Sequence, residues 1–344
     1  MSVFRKLLFP LSLVYDGITR FKNFLYNQGF LTSKTFNIPL IVIGNLSVGG
    51  TGKTPHTEYI SRLLHPVKKL AVLSRGYGRK TKGYVLANKN STASEIGDEP
   101  LQIFQNIPNI TVAACEDRVT GVKHLINNEL VNTIVLDDAF QHRKIKGSFY
   151  ILISTFDKPF YNDLILPAGN LRESKTNKNR ANLIIISKCP KDLSYKNQQL
   201  VLSKINPLPH QHVFFSTIKY DLPKQFHGSH SWNSTNNVLL VTGIVNPKPL
   251  KTHLELSGKI VETLSFKDHH NYTLNDIKEI TKILTSKKTP FIIATTSKDR
   301  VKIEELISNT NTDFSFFEIP ITIDFLFNQQ EEFNSIINNH ARKI

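Results

Sequence analysis

Leu40-Ile41-Val42-Ile43-Gly44-Asn45-Leu46-Ser47-Val48-Gly49-Gly50-Thr51-Gly52-Lys53-Thr54 joins a short apolar run to a glycine-rich turn, and Tyr59, Ile60, Leu63 and Leu64 follow at helical spacing. Strand, loop and helix in that order form the context in which a segment ending Gly-Lys-Thr reads as a phosphate-binding P-loop. Small residues at Gly49, Gly50, Thr51 and Gly52 let successive backbone N–H groups turn inward on phosphates, and the helix N-terminus adds partial positive charge. Lys53 is placed to reach the β- and γ-phosphates of a nucleotide, and the Thr54 hydroxyl to ligate Mg²⁺. The strict pattern GxxxxGK[ST] has glycine where this chain has Ser47, so the match rests on the three remaining glycines and on the flanking elements.

Outward from this segment the theme repeats. Leu70–Leu73, Thr133–Leu136, Tyr150–Ile153 and Leu183–Ile186 are short, nearly continuous apolar runs separated by helical patterns. Such runs indicate a parallel sheet covered on both faces, that is, an α/β architecture. After a polar stretch, further runs occur at Val213–Phe215, Val238–Val241 and Phe291–Ala294, with a helical pattern over Leu274–Leu284. The expected organisation is an N-terminal helical segment over 1–35, a P-loop NTPase core with a parallel sheet flanked by helices over 36–205, and a smaller C-terminal α/β lobe over 206–344.

Thr133-Ile134-Val135-Leu136-Asp137-Asp138 is an apolar run ending in two acids. Beside a P-loop it reads as the Walker B element, whose carboxylate holds Mg²⁺ directly or through water. Other polar groups are ambiguous by themselves. Gly97-Asp98-Glu99-Pro100 reads as a helix start, where acids cap. Asp268-His269-His270 reads as surface, Leu166 to Glu173 as a loop, and Ser74-Arg75-Gly76-Tyr77-Gly78-Arg79 as a strand end able to meet phosphate.

Composition narrows the partners without choosing one. The chain has 344 residues, 40% of them apolar, enough for two compact lobes. Its 43 Lys and Arg against 28 Asp and Glu leave a formal charge of +15, which favours anionic ligands such as nucleotides, phosphorylated substrates or acidic lipids. Cys115 and Cys189 lack CxxC spacing, so disulfides and a structural zinc are not expected and a reducing compartment fits. No apolar run is long enough to span a bilayer. Phe4, Leu7, Leu8, Leu11, Val14, Tyr15, Ile18, Phe21 and Leu25 nevertheless recur at helical spacing, with Arg5, Lys6, Arg20 and Lys22 beside them. This stripe can pack on the protein's own core or lie in a membrane interface, with Pro10 splitting the helix or starting it.

Taken in order, Gly-Asn-Leu-Ser-Val-Gly-Gly-Thr-Gly-Lys-Thr-Pro (44–55), Ser-Arg-Gly-Tyr-Gly (74–78), Gly-Asp-Glu-Pro (97–100), Leu-Asp-Asp-Ala-Phe-Gln-His (136–142), Pro-Ala-Gly-Asn-Leu-Arg-Glu (167–173), Thr-Gly-Ile-Val-Asn-Pro (242–247) and Asp-His-His (268–270) resemble the tetraacyldisaccharide 4'-kinase family. The resemblance implies transfer of the ATP γ-phosphate to the 4'-hydroxyl of a lipid A disaccharide precursor, at the cytoplasmic face of a bacterial inner membrane, with no nucleic acid and no obligatory protein partner. It implies membrane contact by the N-terminal helix. It also implies that Asp98 and His269 form a catalytic pair, that Thr54, Asp137, Asp138 and Glu173 are associated with the metal, and that Arg75, Tyr77, Arg118, Gln141 and Arg172 contact nucleotide or substrate. Thr296-Ser297-Lys298-Asp299 departs from the family's usual Thr-Glu-Lys-Asp, and Ala139 stands where glycine is common. The rival reading is a regulatory P-loop NTPase. Guanine recognition would place an aspartate in the segment where this chain has Ser187-Lys188-Cys189-Pro190.

Overall fold

The computed structural model describes residues 5, 7–233, 237–308 and 314–342, so Phe4 and Lys6 of the N-terminal stripe lie outside the described residues. In chain order, α1 (Phe9–Asn27) precedes β1 (Leu40–Gly44), α2 (Lys53–Leu64), β2 (Leu70–Ser74), the short β3 (Val85–Leu86), α3 (Ala93–Ile96), α4 (Asp98–Asn106) and β4 (Thr111–Ala114). There follow α5 (Arg118–Asn128), β5 (Thr133–Leu136), β6 (Phe149–Thr155), β7 (Leu183–Ser187), α6 (Tyr195–Ile205) and β8 (His212–Tyr220). Next come β9 (Lys224–His227), β10 (Asn237–Thr242), α7 (Lys248–Leu256), β11 (Val261–Ser265), α8 (Leu274–Thr285), β12 (Phe291–Thr296), α9 (Ser297–Ile307) and β13 (Phe316–Ile319). The chain closes with β14 (Ile321–Phe325) and α10 (Gln330–Arg342).

The apolar runs form strands because both faces of each are covered: every residue of β1, β2, β5 and β7 is buried. They assemble into a nine-stranded sheet of order β14-β8-β7-β6-β1-β5-β2-β4-β3, parallel except for its two edge strands. A second sheet has order β11-β10-β12-β13-β9, parallel except for β9. The chain runs to either side of β1, with β6 on one flank and β5 on the other. The carboxyl ends of strands beside such a switch point are where α/β sheets take ligands.

The expected division at 205/206 does not coincide with the sheets. β8 continues the large sheet in parallel with β7 and buries Phe214 and Phe215, while β14 returns from the small sheet to pair with β8. Phe325 of β14 and Phe333 of α10 then pack on Tyr59 of α2, with ring centroids 5.4 and 5.9 Å away. Residues beyond 206 therefore divide between two cores, because the aromatic face of β14 and α10 is buried against the first helix after the P-loop. The two crossings between lobes run side by side, and Asp221 N–H donates to Pro320 O at 2.9 Å.

Helix α1 begins at Phe9 with Pro10 in its first turn, where no N–H is required, and Arg5 and Leu7 ahead of the turn at Leu8 are helical too. It docks through polar groups. Tyr15 Oη donates to Arg172 O at 3.1 Å, Arg20 Nη2 to Ser174 Oγ at 2.9 Å, and the amide of Ala168 to Ser12 Oγ at 2.9 Å. Its apolar stripe faces away from the core, with Leu11 59%, Val14 62%, Ile18 64% and Phe21 63% exposed. Among the described residues no helix is long and apolar enough to cross a membrane.

Candidate active site

The P-loop emerges from β1 and wraps the first turn of α2. Ser47 is tolerated where the strict motif has glycine because the chain is still extended there, bridging Leu171, with Val48 N–H donating to Asn170 O at 2.8 Å. Left-handed backbone begins later, at Gly49 (φ 106°) and Gly52 (φ 86°), the latter forming the N-cap of α2. Three successive carbonyls of the loop are held by side chains. Lys188 Nζ donates to Gly50 O at 2.7 Å, Ser187 Oγ to Thr51 O at 2.7 Å, and the His56 ring nitrogen Nδ1 lies 2.7 Å from Gly52 O. Nε2 of the same ring lies 3.0 Å from Ser216 Oγ. Burial lowers the His56 pKa to about 4, so the ring is neutral and Nδ1–H is the donor to the carbonyl. Carbonyls occupied in this way leave the loop's N–H groups for an anion.

Asp137 ends β5 with Asp138 behind it in the left-handed region (φ 46°), a conformation that aspartate tolerates. Asp138 is ringed by cations, with Lys53 Nζ at 3.6 Å and Arg172 Nη1 at 3.2 Å. Burial opposes its ionisation, but the fields of Lys53 and Arg172 outweigh that and hold the carboxyl below its ordinary range. Asp137 differs. Its Oδ1 accepts from Thr57 Oγ1 at 2.9 Å, and its Oδ2 is buried with no hydrogen-bond partner. Burial, then the charges of Glu99 and Asp138, push its pKa up to about 7.

The two segments that were ambiguous in sequence meet. Asp98 opens α4 and His269 lies after β11 in the small lobe, and His269 Nδ1 is 2.9 Å from Asp98 Oδ2. Gly97 (φ 95°) permits the approach: a Cβ there would lie 3.0 Å from the Gly76 Cα, so the Ser-Arg-Gly-Tyr-Gly and Gly-Asp-Glu-Pro turns abut. Asp98 Oδ1 accepts the Glu99 amide at 2.9 Å, and Lys302 Nζ is 3.4 Å from Oδ2. Although burial raises the Asp98 pKa, the His269 hydrogen bond and the charges of Lys298, His269 and Lys302 bring the net shift downward. The same hydrogen bond raises the pKa of His269.

A cleft of about 1020 Å³ joins these parts, lined by Gly49, Gly50, Thr51, Gly52, Lys53 and Thr54, by Arg75, Tyr77, Asp138, Gln141, Arg172 and Glu173, and by His269 and Lys298 of the small lobe. Gln141 Nε2 donates to Asn45 O at 2.8 Å. Arg118 lies behind the wall rather than in it: it is buried, donates to Cys115 O and, at 3.1 Å, to Asp137 O, and so braces the strand end that carries Asp137. The Glu173 carboxylate is taken by Arg180, with Nη2–Oε2 at 2.6 Å. At the departure Ser297, the hydroxyl donates to Glu318 of β13, so the carboxylate beside that position comes from another strand. His56 and Lys302 lie outside the segments read from sequence, and Glu99, Lys188 and Lys298 lie within them without having been given a site role. The available signals were that Lys188 follows an apolar strand, and that Lys298 and Glu99 fall in segments that carry the resemblance.

A glycine-rich cradle on a parallel sheet, with Lys53 and an acidic strand end facing an Asp–His pair across a cleft, defines a P-loop phosphotransferase. A family model for tetraacyldisaccharide-1-phosphate 4'-kinase matches residues 4–342. The chain belongs to this family, a family of kinases of lipid A biosynthesis. It is 40% identical to the tetraacyldisaccharide 4'-kinase of Bacteroides thetaiotaomicron, covering 98% of this chain and 93% of that protein, and 40% identical to that of Flavobacterium johnsoniae, covering 100% and 99%. The protein of the same name from Flavobacterium psychrophilum is 41% identical over 98% of this chain and 97% of its own length. Among solved structures, "apo" form LpxK from Aquifex aeolicus in complex with ATP superposes with a TM-score of 0.76 at 27% identity, covering 98% of this chain and 100% of that one.

Proposed function

We propose that this chain transfers the γ-phosphoryl group of ATP to the 4'-hydroxyl of a tetraacyldisaccharide 1-phosphate at the cytoplasmic face of a bacterial inner membrane. The observation that carries the reading is that the P-loop and His269, bonded to Asp98, line one cleft from its two lobes. Phosphoryl transfer needs little covalent help from the protein and much positioning and charge stabilisation. In this reading the loop amides and Lys53 hold the phosphates, and Arg75 and Arg172 face the anionic groups that enter the cleft. Tyr77 and Gln141 line its polar wall.

The Asp98–His269 pair accepts the proton of the sugar hydroxyl as the bond to phosphorus forms. The carboxylate is already ionised and the imidazole has a raised pKa, so together they provide a site for that proton. The role belongs to the pair as a coupled unit.

The donor set fits Mg²⁺. Asp137 Oδ2 is buried without a partner and its carboxyl is pushed up to about 7, the behaviour of a carboxylate lacking a cation. Asp137, Asp138 and the Thr54 hydroxyl would hold the ion. Among the described residues no group of three or more His, Cys, Asp or Glu side chains is placed to hold a metal ion by itself, so phosphate oxygens and water would have to complete the shell. Bound there, Mg²⁺ neutralises charge on the β- and γ-phosphates. Glu173 stands one step back from this set through its bond to Arg180.

The inverted orientation of α1, polar side inward and apolar side outward, suits a helix lying in a membrane interface. The experiment that tests the whole reading is transfer of label from γ-labelled ATP to tetraacyldisaccharide 1-phosphate in mixed micelles. Labelled lipid that requires Mg²⁺, Lys53 and Asp98 supports it. Nucleotide hydrolysis without labelled lipid would reject it in favour of a regulatory NTPase.

A further inference from the structure

Two lysines one turn apart on α9 grip the two halves of the catalytic pair. Positions four apart share a helix face, so Lys298 and Lys302 point the same way. Lys298 Nζ lies 3.0 Å from His269 Nε2 and 2.9 Å from Asp268 Oδ1. Lys302 Nζ lies 3.4 Å from Asp98 Oδ2, donates to His270 O at 2.8 Å and sits 5.6 Å from the Tyr272 ring centroid. Lys302 is buried, with 7% of its side chain exposed.

We infer that Lys298 and Lys302 are positioning residues for the phosphoryl-acceptor side of the reaction: Lys298 holds His269 in the tautomer that offers Nδ1–H to Asp98, and Lys302 anchors the Asp98 carboxylate from the opposite lobe. This rests on the assignment of Asp98 and His269 above. A protonated amine only donates, so the imidazole nitrogen facing Lys298 presents its lone pair. In the neutral ring the hydrogen is then on Nδ1, the atom that faces the carboxylate.

The frame around the ring points the same way. His269 has left-handed backbone (φ 57°), its amide donates to Gly243 O at 3.2 Å, and the Gly243 amide donates to Asp299 Oδ2 at 3.0 Å. Asp299 also accepts from Thr296 Oγ1 at 2.7 Å, which ties the same turn to the start of α9. One helix N-terminus thus fixes both the imidazole's backbone and the ammonium that meets its ring. Taking an ammonium out of water is costly unless carboxylates face it. Lys302 is buried between two carboxylates, Asp98, which it shares with His269, and Asp299 of its own helix, whose Oδ1 lies 3.9 Å away. The charged groups around the pair are Glu99 from α4, Asp268 beside His269, and Lys298, Asp299 and Lys302 from α9.

The test is a double-mutant cycle read in kcat and in the separate KM values for ATP and lipid. Lys298→Met, a partly exposed position, is expected to lower kcat by about tenfold or more with both KM values within about twofold, the scale of losing a residue that orients a reacting ligand. In a His269→Ala background the same substitution is expected to add less than about twofold, because its effect passes through the ring. Lys298→Arg should recover part of the loss. Lys302→Met should behave likewise where it folds, and Lys298 carries the test where it does not. An equal loss in both backgrounds, or a rise in the lipid KM with kcat unchanged, overturns the inference in favour of direct contact with substrate phosphate. Wild-type kcat in Lys298→Met alongside a depressed His269→Ala overturns it alone. Wild-type kcat in His269→Ala removes the pair's assignment and the inference with it.

Discussion

The ammonium of Lys188 donates to the carbonyl of Gly50 at 2.7 Å, across 138 residues of sequence. With Ser187 on Thr51 O and His56 on Gly52 O, it gives the phosphate cradle a backing that lies outside the P-loop motif. The motif supplies residues capable of an inward-facing loop, and β7 with α2 holds the loop in that form.

Lys188→Met therefore weakens nucleotide binding without touching the acceptor side. A hydrogen bond to a charged donor is worth about 1.5–3 kcal/mol, so the dissociation constant of a non-hydrolysable ATP analogue should rise by roughly tenfold or more. Calorimetric titration of the purified variant measures it. Unchanged affinity would show that the loop keeps its shape unaided.

Acid should undo the same backing. His56 has a folded pKa of about 4 against an ordinary 6.5, so below pH 6.5 the unfolded chain binds a proton that the folded chain refuses. Its contribution is intact above that value and declines as pH falls toward 4, with a total of roughly 3 kcal/mol from the gap in pKa. Denaturant midpoints measured between pH 7 and 4 should fall less steeply in His56→Gln than in wild type.

Asp137 carries the opposite sign. Its folded pKa of about 7 exceeds the ordinary 3.8, so its contribution is most favourable at low pH and is lost as pH rises through about 4 to 7. Asp137→Asn removes a buried negative charge and keeps an oxygen for Thr57. The nucleotide-free variant should melt higher than wild type at pH 8, by several degrees, while losing about a hundredfold or more in kcat. A melting temperature below wild type at that pH would contradict the cation-deficient reading of this carboxylate.

The exposed face of α1 gives a prediction confined to the membrane. Ile18→Asp and Phe21→Asp lie where no core is disturbed, so melting temperature should be unchanged. Burial of one such side chain is worth about 1.5–3 kcal/mol, and each substitution should lower partition onto anionic vesicles by roughly tenfold or more. Co-sedimentation with vesicles reads the effect, and equal binding by both variants and wild type would remove α1 as the contact.

Much of the catalytic core was legible because its signals are local. A run such as Leu40–Ile43 reports a strand buried on both faces through its own composition, and Gly49-Gly50-Thr51-Gly52-Lys53-Thr54 reports an anion cradle because loop, lysine and helix start are contiguous. The acids Asp137 and Asp138 announce themselves by ending such a run. Asp98 and His269 are different. Each lies in a turn that looks ordinary, and their pairing was expected only through the resemblance, because nothing in either segment encodes a contact 171 residues away.

Tertiary structure alone decided the rest. The apolar residues of β8, β14 and α10 report burial without saying against which core, and the lobe boundary moved once Phe325 and Phe333 were placed on Tyr59. The stripe of α1 has the period of a core-facing helix, and only the polar docking of Tyr15, Arg20 and Ser12 shows that it faces outward. Lys188, Lys298 and Lys302 carry no periodic signature, since a long cationic side chain takes its role from what lies within its reach. Sequence by itself determined which elements form and which loop has the form of a phosphate cradle, through patterns spanning a few residues. The lobes, the Asp98–His269 contact and the lysines around it came from long-range packing, in which buried polar groups had to find partners wherever the folded chain brought them.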